Sequence, residues 1–166
     1  FGVLYGLGLP TIAAVNGHAI AGGLVLTLAC DYRIGAEGDY KIGLAEVRVG
    51  VPYPTSAITV VRSELSKPVA RMMVLTGRNS TPKQALAQGV FDELQPADLL
   101  WPRALDVARE LAALPRAAYA RIKRQLRASA VARIDDAIRN RNEPMLKGWL
   151  SDETREASSE ALKKTD

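Results

Sequence analysis

The first apolar run of the chain, Leu9-Pro10-Thr11-Ile12-Ala13-Ala14-Val15, is short and closed by Asn16-Gly17. It reads as a buried strand ending in a turn. Ala21-Gly22-Gly23 then precede Leu24-Val25-Leu26-Thr27-Leu28-Ala29-Cys30, which is apolar on nearly every side. That pattern predicts a helix buried all round, opened by the glycine pair and ended by Asp31. Tyr32-Arg33-Ile34-Gly35-Ala36 and Tyr40-Lys41-Ile42 predict two further strands, joined by the turn-forming Glu37-Gly38-Asp39. Strand, helix and strand in this order indicate an α/β layered fold with a mainly parallel sheet.

From Pro54 onward the pattern is almost wholly helical. Thr81-Pro82-Lys83-Gln84 supplies an N-cap, a first-turn proline and a capping-box glutamine ahead of Ala85-Leu86-Ala87. Gly89 closes that helix. Phe91-Asp92-Glu93-Leu94 reads as one last short strand. The next helix starts near Asp98 as N-cap and runs to Leu114, where Pro115 breaks it. The stretches 116–130, 131–148 and 151–164 continue as helices, the last opened by Ser151 with Asp152 and Glu153 in its first turn. There is no internal repeat and no low-complexity linker.

A length of 166 residues, 48% hydrophobic and 24% charged, suits a soluble domain with a sizeable core. The longest apolar stretch, Ile20 to Cys30, falls short of the roughly 20 residues a membrane span needs. The one cysteine, Cys30, sits in an apolar run and reads as a small core residue, so a reducing, cytoplasmic setting is expected. No secretory leader is visible, and the start at Phe1-Gly2 reads as the middle of something longer. Net charge is +4, with basic residues crowding the second half from Arg103 to Arg141. That balance fits either the solvated faces of amphipathic helices or an anionic partner.

Candidate chemistry begins at Ala21-Gly22-Gly23. A helix amino terminus carries unpaired N–H groups and the positive end of the dipole, and glycine lets a substrate oxygen come close. Backbone N–H groups there would stabilise a developing enolate oxygen; the alternative is that the glycines merely permit tight strand–helix packing. Glu46, in an apolar stretch ending Val49-Gly50-Val51, suits a carboxylate that takes and returns a proton. Flanked by Arg48, it equally fits a surface ion pair. His18, the only histidine, is a weak candidate for a general base. Asp39, Asp135 and Asp136 have no His or Cys partners at ligand spacing, so no metal is expected. No P-loop and no G-x-G-x-x-G fingerprint follows a strand. Trp101 and Trp149 read as core or subunit-contact packing.

Asn16-Gly17-His18-Ala19-Ile20-Ala21-Gly22-Gly23, an apolar helix, Cys30-Asp31-Tyr32-Arg33-Ile34 and Ile42-Gly43-Leu44-Ala45-Glu46 together resemble the central signature of the crotonase family, the enoyl-CoA hydratase/isomerase group. The resemblance covers nearly the whole chain in order, through Met73-Val74-Leu75-Thr76-Gly77-Arg78 and the helical tail. It implies a crotonase-like ββα layered core over residues 1–95, without the family's opening strands, and a helical carboxy-terminal region over 96–166 for oligomerisation and active-site cover. By the same resemblance Gly22 matches the glycine that gives one of two oxyanion-hole N–H groups. Glu46 matches the acid/base glutamate. Ala21, Gly23, Val25 and Tyr53 fall where substrate is bound, with Tyr53 lining the acyl pocket.

Family hydratases carry a second catalytic glutamate where this chain has Val25. Hydration asks for two carboxylates around one water, whereas moving a double bond needs one base. The motif therefore most resembles that of 3,2-enoyl-CoA isomerases, which convert 3-enoyl-CoA to 2-enoyl-CoA. The resemblance implies an acyl-CoA thioester as substrate, coenzyme A only as part of it, no tightly bound cofactor, and a homotrimer or hexamer in which Lys163 and Lys164 face a neighbour's CoA phosphates. The competing expectations are an enoyl-CoA hydratase (a lyase), a non-catalytic pseudoenzyme, and a module whose basic helices bind RNA or DNA.

Overall fold

The computed structural model describes residues 1–141 together with Glu143, Ser151, Asp152, Thr154 and Glu156. A short helix α1 (Gly2–Tyr5) leads into β1 (Ile12–Val15), β2 (Ala19–Ile20), α2 (Gly22–Leu28), β3 (Tyr32–Ala36) and β4 (Ile42–Gly43). A 3-10 turn over Glu46–Arg48 follows, then α3 (Thr55–Glu64), α4 (Lys67–Thr76), α5 (Pro82–Ala87), β5 (Glu93–Gln95), α6 (Leu100–Ala112) and α7 (Arg116–Arg139). All named strand pairs are parallel, in two sheets: β1-β3-β5 and β2-β4. The α/β layered expectation and the helical carboxy-terminal region hold.

Local chemistry explains most boundaries. At α5 the Thr81 hydroxyl accepts from the Gln84 N–H at 3.3 Å, and the side-chain Oε1 of Gln84 accepts from the Thr81 N–H at 2.9 Å. That capping box satisfies donors a helix start leaves open. Gly77 ends α4 in the left-handed region at φ +60°, a conformation glycine adopts without a Cβ penalty.

Several boundaries depart from the sequence reading. Ala19-Ile20 forms β2, too short to show a period of its own, and pairs with β4 rather than continuing a turn. Tyr40 and Lys41 precede β4, which occupies only Ile42–Gly43 and lies in a different sheet from β3. The last strand is shifted to Glu93–Gln95. The α2 helix is not buried all round, because Leu26 is about half exposed, and it ends at Leu28 before Asp31. Leu99, not Asp98, is the N-cap of α6. The stretches expected to divide at residue 130 form one helix to Arg139; nothing at Ala130-Val131 interrupts the backbone ladder. Most of the helix expected over 151–164, Trp149, Lys163 and Lys164 lie outside the described residues.

Leu24 and Leu28 of α2 meet Ile34, Ile42, Leu44, Val60, Val61, Met73 and Phe91 in one fully buried cluster. Full burial of each such side chain contributes about 1.5–3 kcal/mol. Cys30 belongs to this interior, and burial pushes its thiol up, which fits a packing role rather than a nucleophile.

A buried charge network ties α7 to that core. Asp31 Oδ2 accepts from the Thr11 N–H at 2.9 Å, the Tyr119 hydroxyl at 3.0 Å and Lys123 Nζ at 2.6 Å. Asp31 Oδ1 lies 3.0 Å from an Arg127 guanidinium nitrogen. Tyr119, Lys123 and Arg127 are four apart and so share one face of α7. Arg127 also donates to the carbonyls of Tyr5, Ala29 and Cys30, and stacks 4.1 Å from the Tyr5 ring centroid.

Replacing Asp31 by Asn would leave Lys123 and Arg127 buried with their main counter-charge gone. A loss of about 3–5 kcal/mol is expected in urea unfolding, and a loss below about 1 kcal/mol would show that the network is incidental. Alkaline stability gives a second check. Burial first, helped by the Glu64 and Asp31 carboxylates respectively, pushes the Tyr5 and Tyr119 hydroxyls up to about 12, and burial does the same for Tyr40. A folded pKa above the unfolded value contributes stability that is complete below about pH 10 and is lost as pH rises to about 12. Tyrosinate absorbance should therefore appear together with unfolding in that window; ionisation near pH 10 in a chain that stays folded would contradict this.

Candidate active site

Parallel pairing sets the site. Ala19 is opposite Ile42 and Ile20 opposite Gly43, and the Ala21 N–H extends the ladder to the Gly43 carbonyl at 2.8 Å. The segments leaving the carboxyl ends of β2 and β4 thus start side by side, one carrying Gly22, the other Leu44-Ala45-Glu46. In open α/β sheets, ligands bind in the crevice outside such strand ends.

At the β2 exit the backbone turns sharply. Ala21 has φ +54° and ψ −124°, a conformation that L-residues rarely adopt and that costs on the order of 1–3 kcal/mol. The turn starts α2 at Gly22, and the first in-helix bond runs from the Val25 N–H to the Ala21 carbonyl at 3.1 Å. The N–H groups of Gly22 and Gly23 therefore precede the helical ladder. A Cβ on Gly22 would meet only Phe1 Cζ, at an ordinary 3.6 Å, and one on Gly23 nothing within 4 Å. Neither glycine is at positive φ. Tight strand–helix packing, the competing explanation for the pair, does not account for it. Val25, one turn in, is 1% exposed and packs in the core.

At the β4 exit, Glu46 opens the 3-10 turn. Its carbonyl accepts from the Val49 N–H at 3.1 Å and the Val51 N–H at 3.0 Å, so the backbone beneath the side chain is fixed twice. Glu46 is 8% exposed, and Arg48 is on the surface. Among the described residues the two form no ion pair, which overturns the surface ion-pair reading. The partner of the carboxylate is Tyr53, whose hydroxyl donates to Glu46 Oε2 at 2.7 Å. Burial, then that hydrogen bond and the carboxylate's charge, hold the Tyr53 proton well above the ordinary tyrosine range. Tyr53 lies between Pro52 and Pro54, which stiffen the loop and keep the intervening residue extended. The sequence reading gave Tyr53 to the acyl pocket and missed its bond to Glu46; the flanking prolines were the available sign of a fixed side chain.

Residues distant in sequence fold back on this loop. The Thr154 hydroxyl donates to the Gly50 carbonyl at 3.0 Å, and Glu143 Oε2 accepts from the Thr55 N–H at 2.9 Å. His18 is exposed, with Nδ1 accepting from the Lys41 N–H at 2.9 Å, a contact that serves the β2–β4 entry. Gly22, Glu46 and Tyr53 do not line the clefts of about 330 Å³ between α3 and α7 or about 500 Å³ beside Tyr119 and Lys123. Nor is the basic second half one open surface. Arg103 is paired with Glu93 and Glu110, and Lys123 and Arg127 are buried against Asp31.

Comparison with known proteins identifies the family and the fold. The family described as Enoyl-CoA hydratase/isomerase matches residues 2–165. Among curated relatives, the 2,3-dehydroadipyl-CoA hydratase of Escherichia coli (strain K12) is 36% identical over 121 residues, covering 72% of this chain and 47% of its own. The enoyl-CoA isomerase/hydratase fer4 of Mycosarcoma maydis is 32% identical over 105 residues, covering 63% and 38%. The chain thus spans about half the length of such relatives or less. Among solved structures, an enoyl-CoA hydratase/isomerase family protein from Pseudomonas syringae superposes with a TM-score of 0.81 at 31% identity, covering 87% of this chain and 63% of the other. An enoyl-CoA isomerase from Mycobacterium tuberculosis gives 0.77 at 31%, covering 82% and 60%. The chain belongs to the enoyl-CoA hydratase/isomerase family, the crotonases.

Proposed function

We propose that this chain carries the acid/base and enolate-stabilising half of an acyl-CoA enzyme that converts a 3-enoyl-CoA to the conjugated 2-enoyl-CoA. The observation that carries the reading is Glu46, a buried carboxylate oriented by Tyr53 on the strand exit beside Gly22. In this mechanism the thioester carbonyl oxygen sits against the Gly22 N–H. Glu46 removes a proton from the α-carbon, and the C–H electron pair becomes the enolate, whose oxygen charge the N–H group stabilises. The same carboxyl returns the proton to the γ-carbon as the double bond moves into conjugation. Ala21 and Gly23 shape the approach to Gly22, and Tyr53, kept protonated, holds one Glu46 oxygen so that the other faces the substrate. The reaction uses coenzyme A as part of the substrate and no tightly bound cofactor.

Val25 supports isomerisation over hydration, since an apolar side chain there supplies no second carboxylate to activate water. Hydration is the second reading, favoured by the likeness to the E. coli 2,3-dehydroadipyl-CoA hydratase. The helical part, 96–166, is assigned to active-site cover and to assembly as a trimer or hexamer. The contact of Thr154 with Gly50 supports cover, and the exposed Ile122, Leu126 and Ile138 of α7 support assembly. A nucleic-acid role is less well supported, because Arg103, Lys123 and Arg127 are committed to carboxylates.

The test follows 3-enoyl-CoA and 2-enoyl-CoA by absorbance and mass on the polypeptide of full natural length. Double-bond shift without gain of water is expected, with Glu46→Gln lowering kcat roughly 10²–10⁴-fold. Gain of one water would replace isomerase by hydratase, and an unaffected Glu46→Gln variant would remove Glu46 from the chemistry. Tyr53→Phe loses a hydrogen bond to a charged group, worth about 1.5–3 kcal/mol, so kcat should fall about 10–150-fold with KM little changed. A change confined to KM would return Tyr53 to substrate contact alone.

A further inference from the structure

A cleft of about 330 Å³ runs between α3 and α7. Thr59, Arg62 and Ser63 line it from α3, and Ser129, Ala130 and Arg133 from α7. Two guanidinium groups from separate helices therefore share one concavity. Among the described residues, neither has a carboxylate within 4 Å.

Two of the nearby acids have other partners, and the exposed Asp135 has no ion pair to either arginine among the described residues. Glu64, two residues beyond Arg62, turns inward, accepts from the Tyr5 hydroxyl at 2.7 Å and pairs with Arg33 and Arg127. Asp136, one turn beyond Arg133, accepts from Asn140 Nδ2 at 2.8 Å. Two like charges facing one cleft repel, and an anion between them removes the repulsion.

Thr59 is 6% exposed, and its Oγ1 is buried with no hydrogen-bond partner. That oxygen is closed to solvent, so Thr59 forms part of the wall without offering the cleft a donor. The Ser63 hydroxyl donates to the Thr59 carbonyl at 2.8 Å, which uses its one hydrogen and leaves Ser129 as the neutral donor. Arginine's planar fork matches the paired oxygens of phosphate. We infer that the α3–α7 cleft is a binding site for a phosphate-type oxyanion, held by Arg62 and Arg133 with the Ser129 hydroxyl beside them. None of its residues belongs to the Glu46–Gly22 site, so the inference stands independently of the proposed reaction.

The test is calorimetric titration of the polypeptide of full natural length with inorganic phosphate, and separately with AMP, at ionic strength held constant with chloride. Saturable binding at one site is expected, weakened at least tenfold by the Arg62→Gln/Arg133→Gln double variant and less by Arg62→Lys/Arg133→Lys, which keeps the charge but loses the fork. Both arginines are on the surface, so circular dichroism should show the Gln variant folded. Should it fail to fold, Ser129→Asp puts a negative charge in the cleft and is expected to abolish binding. AMP binding tighter than phosphate identifies a phosphate ester on a larger body; equal binding identifies the free anion. No saturable binding of either ligand, or binding unchanged in the folded Gln variant or in Ser129→Asp, overturns the inference.

Discussion

Asp31 sets a nearly buried carboxylate against two buried cations of α7. One carboxylate at the end of α2 collects the start of β1 through Thr11 and the inner face of α7 through Tyr119, Lys123 and Arg127. Removing charges from water costs several kcal/mol per ion, offset only where geometry and further hydrogen bonds are good. Lys123 also donates to the Leu9 carbonyl at 2.9 Å and Arg127 to the carbonyls that end α2 at 3.4 Å, while Arg127 Nε is buried without a partner among the described residues. A cation against a helix carboxyl terminus is itself favourable.

That clamp reaches the candidate site through α2. The helix has seven residues, about 10 Å at 1.5 Å per residue, with its two ends in different chemistry. Its carboxyl end is fixed by Arg127, and its middle by Leu24, Val25 and Leu28 in the core. Its amino end is the strained Ala21 turn, kept in place by the bond from Ala21 N–H to the Gly43 carbonyl. Strain of this kind persists only where the surroundings over-determine the backbone. The side chain across from it is held in a similar way: two N–H groups fix the Glu46 carbonyl, and Tyr53, between prolines, fixes the carboxylate. The presence of two rigidly held groups on adjacent strand exits is what the family resemblance alone did not convey.

The sequence by itself determined the local elements. The Thr81-Pro82-Lys83-Gln84 cap, the Gly89 stop, β1, β3 and the helical second half are all readable from side-chain chemistry acting within a few residues. So are Gly22 and Glu46 as candidates, because the motif that carries the family resemblance is contiguous. Where the reading failed, the deciding contacts were distant in the chain. β2 is two residues long and exists only because β4 lies beside it. Arg48 looked like a partner for Glu46 by adjacency, but Glu46 is turned inward to Tyr53.

Tertiary structure alone decided which polar residues are interior. Nothing in the pattern of α7 separates the buried Lys123 and Arg127 from the exposed Arg121 and Arg124 until Asp31 is known to face that side. Nor does spacing tell whether Gly22-Gly23 serve packing, a question answered by the open space where their Cβ atoms would lie. Helix caps and turns are short-range and therefore written in consecutive residues. Burial of charge, the pairing of two-residue strands and the orientation of a carboxylate depend on what the rest of the chain brings within hydrogen-bond distance, and sequence order does not contain that distance.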